Sequence, residues 1–173
     1  MTARPLTGTE RTHTDTQTEE ELADLVAKLA KEGGQRIAVA ESLTAGRVSS
    51  MLGRGEQASQ WYRGAVVAYD EDVKFRVLGV TPGPVVTDLC AREMAEGVRR
   101  LLQADVALGI TGVGGPGPDE GCPAGTVHLA VATAESTRSL HACLPGDPTE
   151  VVAAATRLCL HEMGRALSDA SAT

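Results

Sequence analysis

Apolar residues recur along the chain first at helical and then at strand-like spacing. The segment TEEELADLVAKLAKEGG, residues 18–34, has apolar positions at helical spacing, a capping box formed by Thr18 and Glu21, and a closing glycine pair. Short, continuous apolar runs follow at residues 36–42 and 63–69, which is typical of buried strands. The first part of the chain therefore predicts a helix and two strands.

A helical segment follows each of these two strands. The first, residues 44–54, reads TAGRVSSMLGR, and either Ser42 or Thr44 is suitably placed to cap it. The second, residues 70–80, reads DEDVKFRVLGV and is predicted to end at Gly79. Local sequence thus offers Ser42 a purely structural role at a helix N-terminus.

The second half of the chain continues the alternation of helices and strands. The predicted elements are a helix capped by Thr87 that reaches residue 103, a strand at 105–111, two adjacent strands at 126–133 and 138–144, and a helix at 148–167. A long loop rich in glycine and proline separates the strand at 105–111 from the strand at 126–133.

This order of elements predicts a single α/β domain. We expect three α/β/α layers around a mixed, mostly parallel sheet, spanning residues 18–167. The polar flanks, residues 1–17 and 168–173, are predicted to be a disordered arm and a disordered tail. A chain of 173 residues with 42% hydrophobic content is large enough to fill one core.

Composition argues against several classes of function. A net charge of −7 and only four aromatic residues provide neither a basic face nor a stacking surface for nucleic acid. No run approaches the roughly 18 apolar residues that span a membrane, and no signal-peptide pattern is present, so we expect a cytoplasmic protein. The four cysteines lack zinc-ligand spacing and are expected to be reduced thiols; we expect neither metal nor cofactor.

The glycine-rich loop contains a misleading motif. Gly112, Gly114 and Gly117 match GxGxxG after a predicted strand, but the prolines that follow prevent the helix which a dinucleotide site requires. There is no GK[ST] sequence either, which argues against a P-loop. The loop still follows a predicted central strand, where open α/β sheets bind ligands, and its amides can form an anion nest or an oxyanion hole. The alternative is a tight surface connection.

Candidate chemistry centres on Ser42. A serine nucleophile needs a base, and none of the four histidines lies in a predicted loop beside a carboxylate. Among the three lysines, Lys28 and Lys31 lie on the polar side of the first helix, whereas Lys74 follows the apolar strand at 63–69. A lysine base must be deprotonated, which burial favours. Sequence pattern alone leaves both roles open for Ser42, nucleophile and helix cap.

Four segments resemble a known family. AESLTAG, RGAVVAYDEDVKFRVLGV, PVVTDLCAREMAEG and GITGVGGPGPDEGCPAGTV are similar, in the same order, to motifs of the CinA C-terminal domain family, which includes nicotinamide-nucleotide amidohydrolases. The resemblance implies hydrolysis of the carboxamide of nicotinamide mononucleotide to nicotinate mononucleotide and ammonia. It implies Ser42 as nucleophile, Lys74 as base, and Tyr69 as a residue that orients one of them.

The same resemblance implies a substrate pocket and a partner class. The expected partner is a small-molecule nucleotide, with no nucleic acid and no membrane, and we expect a homo-oligomer. For Glu41, a carboxylate at a helix N-terminus is an equally good interpretation. The residues implied as substrate-binding are Glu41, Thr44, Gly46, Thr111, Gly112 and Gly115.

The chain departs from the family pattern in two places that affect function. Glu71 replaces an asparagine before Lys74, and a nearby carboxylate favours a protonated lysine. Pro148 and Val152 stand where the family carries arginines, the usual partners of a phosphate. These changes favour an alternative function, a catalytically silent nucleotide-binding or assembly module of the same fold. The arginines that remain as possible substitutes are Arg47, Arg63 and Arg76.

Overall fold

The computed structural model describes residues 4–5 and 17–171. Its helices and strands, numbered in chain order, are β1 (Arg4–Pro5), α1 (Glu19–Gly33), β2 (Ile37–Glu41), α2 (Arg47–Gly53), α3 (Ala58–Trp61), β3 (Tyr62–Val67), α4 (Glu71–Leu78), α5 (Asp88–Leu102), β4 (Val106–Gly112), β5 (Thr126–Ala132), β6 (Thr137–Cys143) and α6 (Pro148–Ser171).

One mixed sheet forms the centre of the molecule, with strand order β1-β6-β5-β4-β2-β3. β2 lies between β3 and β4 and is parallel to both, whereas β5 is antiparallel to β4 and to β6. The carboxyl ends of three neighbouring strands therefore meet at one edge. The predicted mixed sheet and the predicted adjacency of β5 and β6 are confirmed.

Helices cover both faces of the sheet. α1, α2 and α6 pack on one face around Ile37, Val39 and Leu108. α4 and α5 pack on the other face against Ala38 and Ala40 of the same strand. The alternation of small and large side chains along β2 thus serves both layers, and the predicted three-layer α/β/α fold is confirmed.

α5 approaches β4 unusually closely, and a glycine permits it. A Cβ atom at Gly109 would come within 2.5 Å of the backbone of both Ala91 and Ala95. The absence of a side chain therefore lets the helix rest directly on the strand. This contact fixes α5 and the segment that precedes it relative to the carboxyl end of β4.

The ends of the domain differ from the prediction. α6 continues to Ser171, so residues 168–171 belong to a helix rather than to a disordered tail. Arg4–Pro5 pairs with β6 at the sheet edge, within the segment predicted to be a disordered arm. The rest of that arm, residues 1–3 and 6–16, and residues 172–173 of the tail lie outside the described residues. The short helix α3 was not predicted.

The cap of α2 also differs from the prediction. The N-cap residue is Gly46, and neither Ser42 nor Thr44 caps the helix. The fully buried carboxylate of Glu41 instead accepts hydrogen bonds from the backbone amides of Gly46, Val48 and Ser49, at 3.0, 3.1 and 2.7 Å. Glu41 therefore satisfies the helix N-terminus from the preceding strand, and the Ser42 hydroxyl is not needed there.

We expect Glu41→Ala to lower the free energy of unfolding by at least about 3 kcal/mol, because it leaves buried amides without a charged acceptor. Urea unfolding can be followed through the fluorescence of Trp61, the single tryptophan. Glu32→Ala is the matched control, since Glu32 pairs with Lys28 across 4.0 Å at the surface, and it should change stability by less than about 0.5 kcal/mol. Equal losses in the two variants would contradict this role of Glu41.

Candidate active site

A cleft of about 390 Å³ opens at the edge where β3, β2 and β4 end. Its position agrees with the rule that open α/β sheets bind ligands at the carboxyl ends of their strands. The lining combines polar side chains with glycine backbone. It consists of Ser42, Leu43, Tyr69, Glu71, Lys74, Val85, Val86, Thr111 and most of segment 112–119.

Ser42 directly follows β2 and is 8% exposed. Its backbone amide donates to the carbonyl of Ile110 at 3.1 Å, which continues the pairing between β2 and β4 by one residue. The backbone of Ser42 is thus fixed by the sheet, and the turn into α2 is fixed by Glu41. Ser42 lines the cleft from this rigid position.

Lys74 reaches the same cleft from α4 and is only 1% exposed. Its Nζ donates to the carbonyl oxygen of Tyr69 at 3.1 Å. Asp70 caps α4 by accepting from the amide of Asp72, so the helix begins directly after the loop that holds the lysine. The structure therefore brings Ser42 and Lys74, from two separate motifs, into one cavity.

The environment of Lys74 favours the neutral amine. Burial lowers the pKa of Lys74 below its ordinary value, because the ammonium ion loses its hydration. Burial also raises the pKa of the Cys90 thiol to about 11, so this neighbour on α5 is uncharged at neutral pH. The carboxylates of Glu71, Asp70 and Glu120 oppose this lowering of the Lys74 pKa, because negative charge favours the ammonium ion.

The end of β4 and the glycine-rich loop form the opposite wall. The Thr111 hydroxyl donates to the carbonyl of Val85 at 2.8 Å, which holds the segment before α5 against the strand. Gly112 cannot carry a Cβ atom without striking the backbone of Thr126. Gly115 has φ of 93°, a left-handed conformation suited to glycine. All three predicted residues of this wall line the cleft.

The other predicted substrate residues do not line the cleft. Glu41 is buried beneath α2, where its carboxylate serves the helix amides. Thr44 and Gly46 lie in the turn between β2 and α2, and the buried Thr44 hydroxyl has no hydrogen-bond partner within the described chain. Tyr69 does line the cleft, with 71% of its surface exposed, and contributes its carbonyl to Lys74.

The sequence interpretation gave no role to Val85, Val86 and Asp119, which also line the cleft. Their positions follow from long-range contacts that no local pattern reports. For Val85 and Val86 the one available signal was the resemblance of the segment that begins PVV, residues 84–97.

Positive charge is scarce at this site. No arginine is among the residues that line the cleft in the described part of the chain. Each of the three arginines considered as phosphate ligands has another partner: Arg47 pairs with Glu19 at 2.8 Å, Arg76 with Asp72 at 3.3 Å, and Arg63 donates to the Leu102 carbonyl at 3.0 Å.

The N-terminus of α6 does not supply free amides for a phosphate. Pro148 lies near Gly115, so the helix begins close to the glycine-rich loop. However, the Asp147 carboxylate accepts from the amides of Thr149 and Glu150, at 2.8 and 3.0 Å, and Glu150 accepts from the Asp147 amide at 2.8 Å. The carboxylates of the chain itself therefore occupy the position that an anion would take.

Two features are absent from the described residues, 4–5 and 17–171. These residues contain no group of three or more His, Cys, Asp or Glu side chains arranged to hold a metal ion. They also contain no helix that is long and apolar enough to cross a membrane.

Comparison with known sequences identifies close relatives. The sequence profile described as "CinA C-terminal domain" matches residues 19–167. A CinA-like protein from Mycobacterium avium is 40% identical over 160 residues, which are 85% of this chain and 36% of that protein. A CinA-like protein from Pseudothermotoga lettingae is 40% identical over 117 residues, 64% of this chain and 29% of that protein. The chain thus spans about a third of the length of the curated relatives it matches.

Solved structures of the same superfamily share the fold. A CinA superfamily protein from Klebsiella pneumoniae superposes with a TM-score of 0.85 at 31% identity, covering 88% of this chain and 99% of that one. A CinA superfamily protein from Escherichia coli gives a TM-score of 0.82 at 29% identity, covering 93% of each chain. The cleft therefore lies in a domain whose sequence and architecture agree, and the chain belongs to the CinA C-terminal domain family.

Proposed function

We propose that the cleft is the active site of an amidohydrolase which converts nicotinamide mononucleotide to nicotinate mononucleotide and ammonia. The observation that carries the proposal is the meeting of two buried groups, Ser42 and Lys74, in one cavity at the sheet edge. Serine is a weak nucleophile unless a base takes its proton, and a lysine shielded from water is a suitable base. The glycine-rich wall supplies backbone amides beside this pair.

The proposed reaction has two stages. The Ser42 hydroxyl transfers its proton to the neutral Lys74 amine as its oxygen attacks the carboxamide carbon. Lys74 then passes the proton to the departing nitrogen, ammonia leaves, and an ester of Ser42 remains. Water, activated by the same amine, hydrolyses this ester to the carboxylate. In the proposed mechanism the amides of Gly114, Gly115 and Gly117, which line the cleft, donate to the oxyanion of each tetrahedral intermediate.

The hydrogen bond from Lys74 to the Tyr69 carbonyl supports this role for the lysine. A neutral amine has two N–H bonds and one lone pair. With one N–H directed at Tyr69, rotation of the amine is restricted, and the lone pair remains available to accept the serine proton. Tyr69 would thus position the base through its backbone, and its exposed ring would border the entrance.

We expect Ser42→Ala and Lys74→Ala each to reduce ammonia release from the mononucleotide by at least about 1000-fold, because each removes one partner of the proton transfer. A coupled ammonia assay measures this directly. Ser50→Ala and Lys28→Ala are the matched controls, since both residues are exposed, and they should retain activity near that of the unaltered protein.

Unchanged turnover in both cleft variants would contradict the mechanism. Tight binding of the mononucleotide by the unaltered protein without turnover would instead support the second candidate, a catalytically silent nucleotide-binding module. Glu71 is the observation that favours this candidate, because its carboxylate stabilises the protonated form of Lys74.

The pH profile should report the protonation of Lys74. Because the amine must be neutral to act, kcat/KM should rise with pH and level off at a pH below about 10.4, the ordinary lysine value, as burial lowers the pKa of Lys74. Lys74→Arg should be inactive across the whole range, since a guanidinium does not deprotonate. A profile that does not change between pH 6 and 10 would show that Lys74 is not the base.

The phosphate of the substrate should contribute little to recognition. One charge-assisted hydrogen bond contributes roughly 1.5–3 kcal/mol, equivalent to about tenfold or more in kcat/KM, but no arginine lines the described cleft. We therefore expect nicotinamide riboside to be hydrolysed within about tenfold of the kcat/KM for the mononucleotide. A preference for the mononucleotide above 100-fold would contradict this prediction and indicate a phosphate ligand outside the described lining.

A further inference from the structure

Glu120 lies at the tip of a tight turn in the glycine-rich loop. Asp119 and Cys122 form an antiparallel bridge, in which the Asp119 amide donates to the Cys122 carbonyl at 3.0 Å and the Cys122 amide donates back at 2.8 Å. Between them, Glu120 and Gly121 have φ of 47° and 75°. Positive φ at both central residues is typical of a type I′ turn.

Glutamate is an unusual residue at the first central position of this turn. Asparagine, aspartate and glycine are the residues that the conformation favours there, and a glutamate with positive φ carries steric strain. Such strain persists only where other interactions hold the residue in place. The contacts of the Glu120 side chain identify these interactions.

The Glu120 carboxylate bridges two segments of the cleft wall. It accepts hydrogen bonds from the Val85 amide, at 3.0 and 2.9 Å to its two oxygens, and from the Val86 amide at 2.7 Å. The Val85 carbonyl accepts from the Thr111 hydroxyl. Both sides of Val85 are therefore held, one by the glycine-rich loop and the other by β4.

The same carboxylate acts on the proposed base. Lys74 lines the same cleft as Val85 and Val86, whose amides bind Glu120, and the negative charge of Glu120 opposes the effect of burial on the pKa of the lysine. The other groups that act on Lys74 are Glu71 from its own helix, Asp70 from the N-cap of that helix, and the neutral thiol of Cys90 from α5. Glu120 is thus the one carboxylate that reaches Lys74 from a separate element among the described residues.

We propose that Glu120 is a positioning residue for the Ser42–Lys74 reaction, because its carboxylate fixes the Val85–Val86 wall and holds a negative charge at that wall of the cleft which Lys74 also lines. The inference rests on the proposed function for its catalytic meaning. Burial lowers the pKa of Lys74 and so weakens it as a base, and the Glu120 charge opposes this effect. Glu120 itself is not among the residues that line the described cleft.

The titration of Lys74 can be measured independently of turnover. The chain has three lysines, so a protein with ¹³C at the lysine ε carbons gives a simple NMR spectrum, and Lys74→Ala assigns the signal. We expect Glu120→Gln to lower the midpoint of the Lys74 titration, because an opposing negative charge is removed. Glu120→Asp, which keeps the charge, should leave the midpoint nearer to that of the unaltered protein.

Glu93→Gln is the matched control. The Glu93 carboxylate also holds a neighbouring segment, accepting from the amide and the hydroxyl of Thr81 at 2.8 and 2.9 Å, but it is not among the groups that act on Lys74. The same substitution there should leave the Lys74 midpoint unchanged. An unchanged midpoint in Glu120→Gln, or an equal shift in Glu93→Gln, would overturn the proposal.

Kinetics separate the effect of charge from the effect of the wall. Thr111→Val removes the hydrogen bond from the Thr111 hydroxyl to the Val85 carbonyl without changing charge. We expect both Thr111→Val and Glu120→Gln to raise KM. Thr111→Val should leave the pH at which kcat/KM rises unchanged. Glu120→Gln should also move the rise of kcat/KM to lower pH. If both variants keep the KM of the unaltered protein, the wall role is wrong. Absence of ammonia release from the unaltered protein would contradict the proposed function, while the NMR titration would still decide the role of Glu120.

Discussion

The parallel pairing of β2 with both of its neighbours determines where the polar groups of the cleft lie. The register places Glu41 opposite Val67 on one side and Ile110 on the other, so β2 and β3 end at the same level while β4 continues to Gly112. Ser42 leaves the sheet between the two neighbours and keeps one more hydrogen bond to β4. A shift of one residue in this register would direct the serine to the opposite face of the sheet.

Around that fixed edge, the balance between burial and charge at Lys74 determines what chemistry is possible. Burial favours the neutral amine, and the surrounding carboxylates favour the ammonium ion. The opposing charges come from different parts of the fold, since α4 contributes Glu71 and the glycine-rich loop contributes Glu120. A base strength set in this way does not require a histidine beside the serine, and it depends on loops that lie far apart in sequence.

The sequence predicted the fold well because the apolar runs are short, clearly bounded and matched to their elements. The end of α6 was missed because residues 168–171 are polar; there the Ser168 hydroxyl donates to the Gly164 carbonyl and Asp169 pairs with Arg138. The predicted cap of α2 was also wrong. Local rules assign caps to serine or threonine next to the helix, whereas Glu41 reaches the amides from inside the preceding strand.

The candidate site was predictable only in part, because some of its contacts join segments that lie far apart in sequence. Motif resemblance pointed to Ser42, Lys74 and the wall at the end of β4, and all of these line the cleft. Periodicity and spacing cannot report contacts between distant loops, such as those of Glu120 with Val85 and Val86. The positive φ of Glu120 is the local feature that accompanies this contact, and the sequence does not show it because φ is a property of the folded backbone.

The most direct test of the central claim is to trap the intermediate and locate it. Acid quenching during turnover of the mononucleotide, followed by proteolysis and mass spectrometry, should reveal the acyl group of the substrate on the peptide that contains Ser42, and the Lys74→Ala variant should show far less of it. An acyl group attached to any other residue would contradict the assignment of Ser42 as the nucleophile.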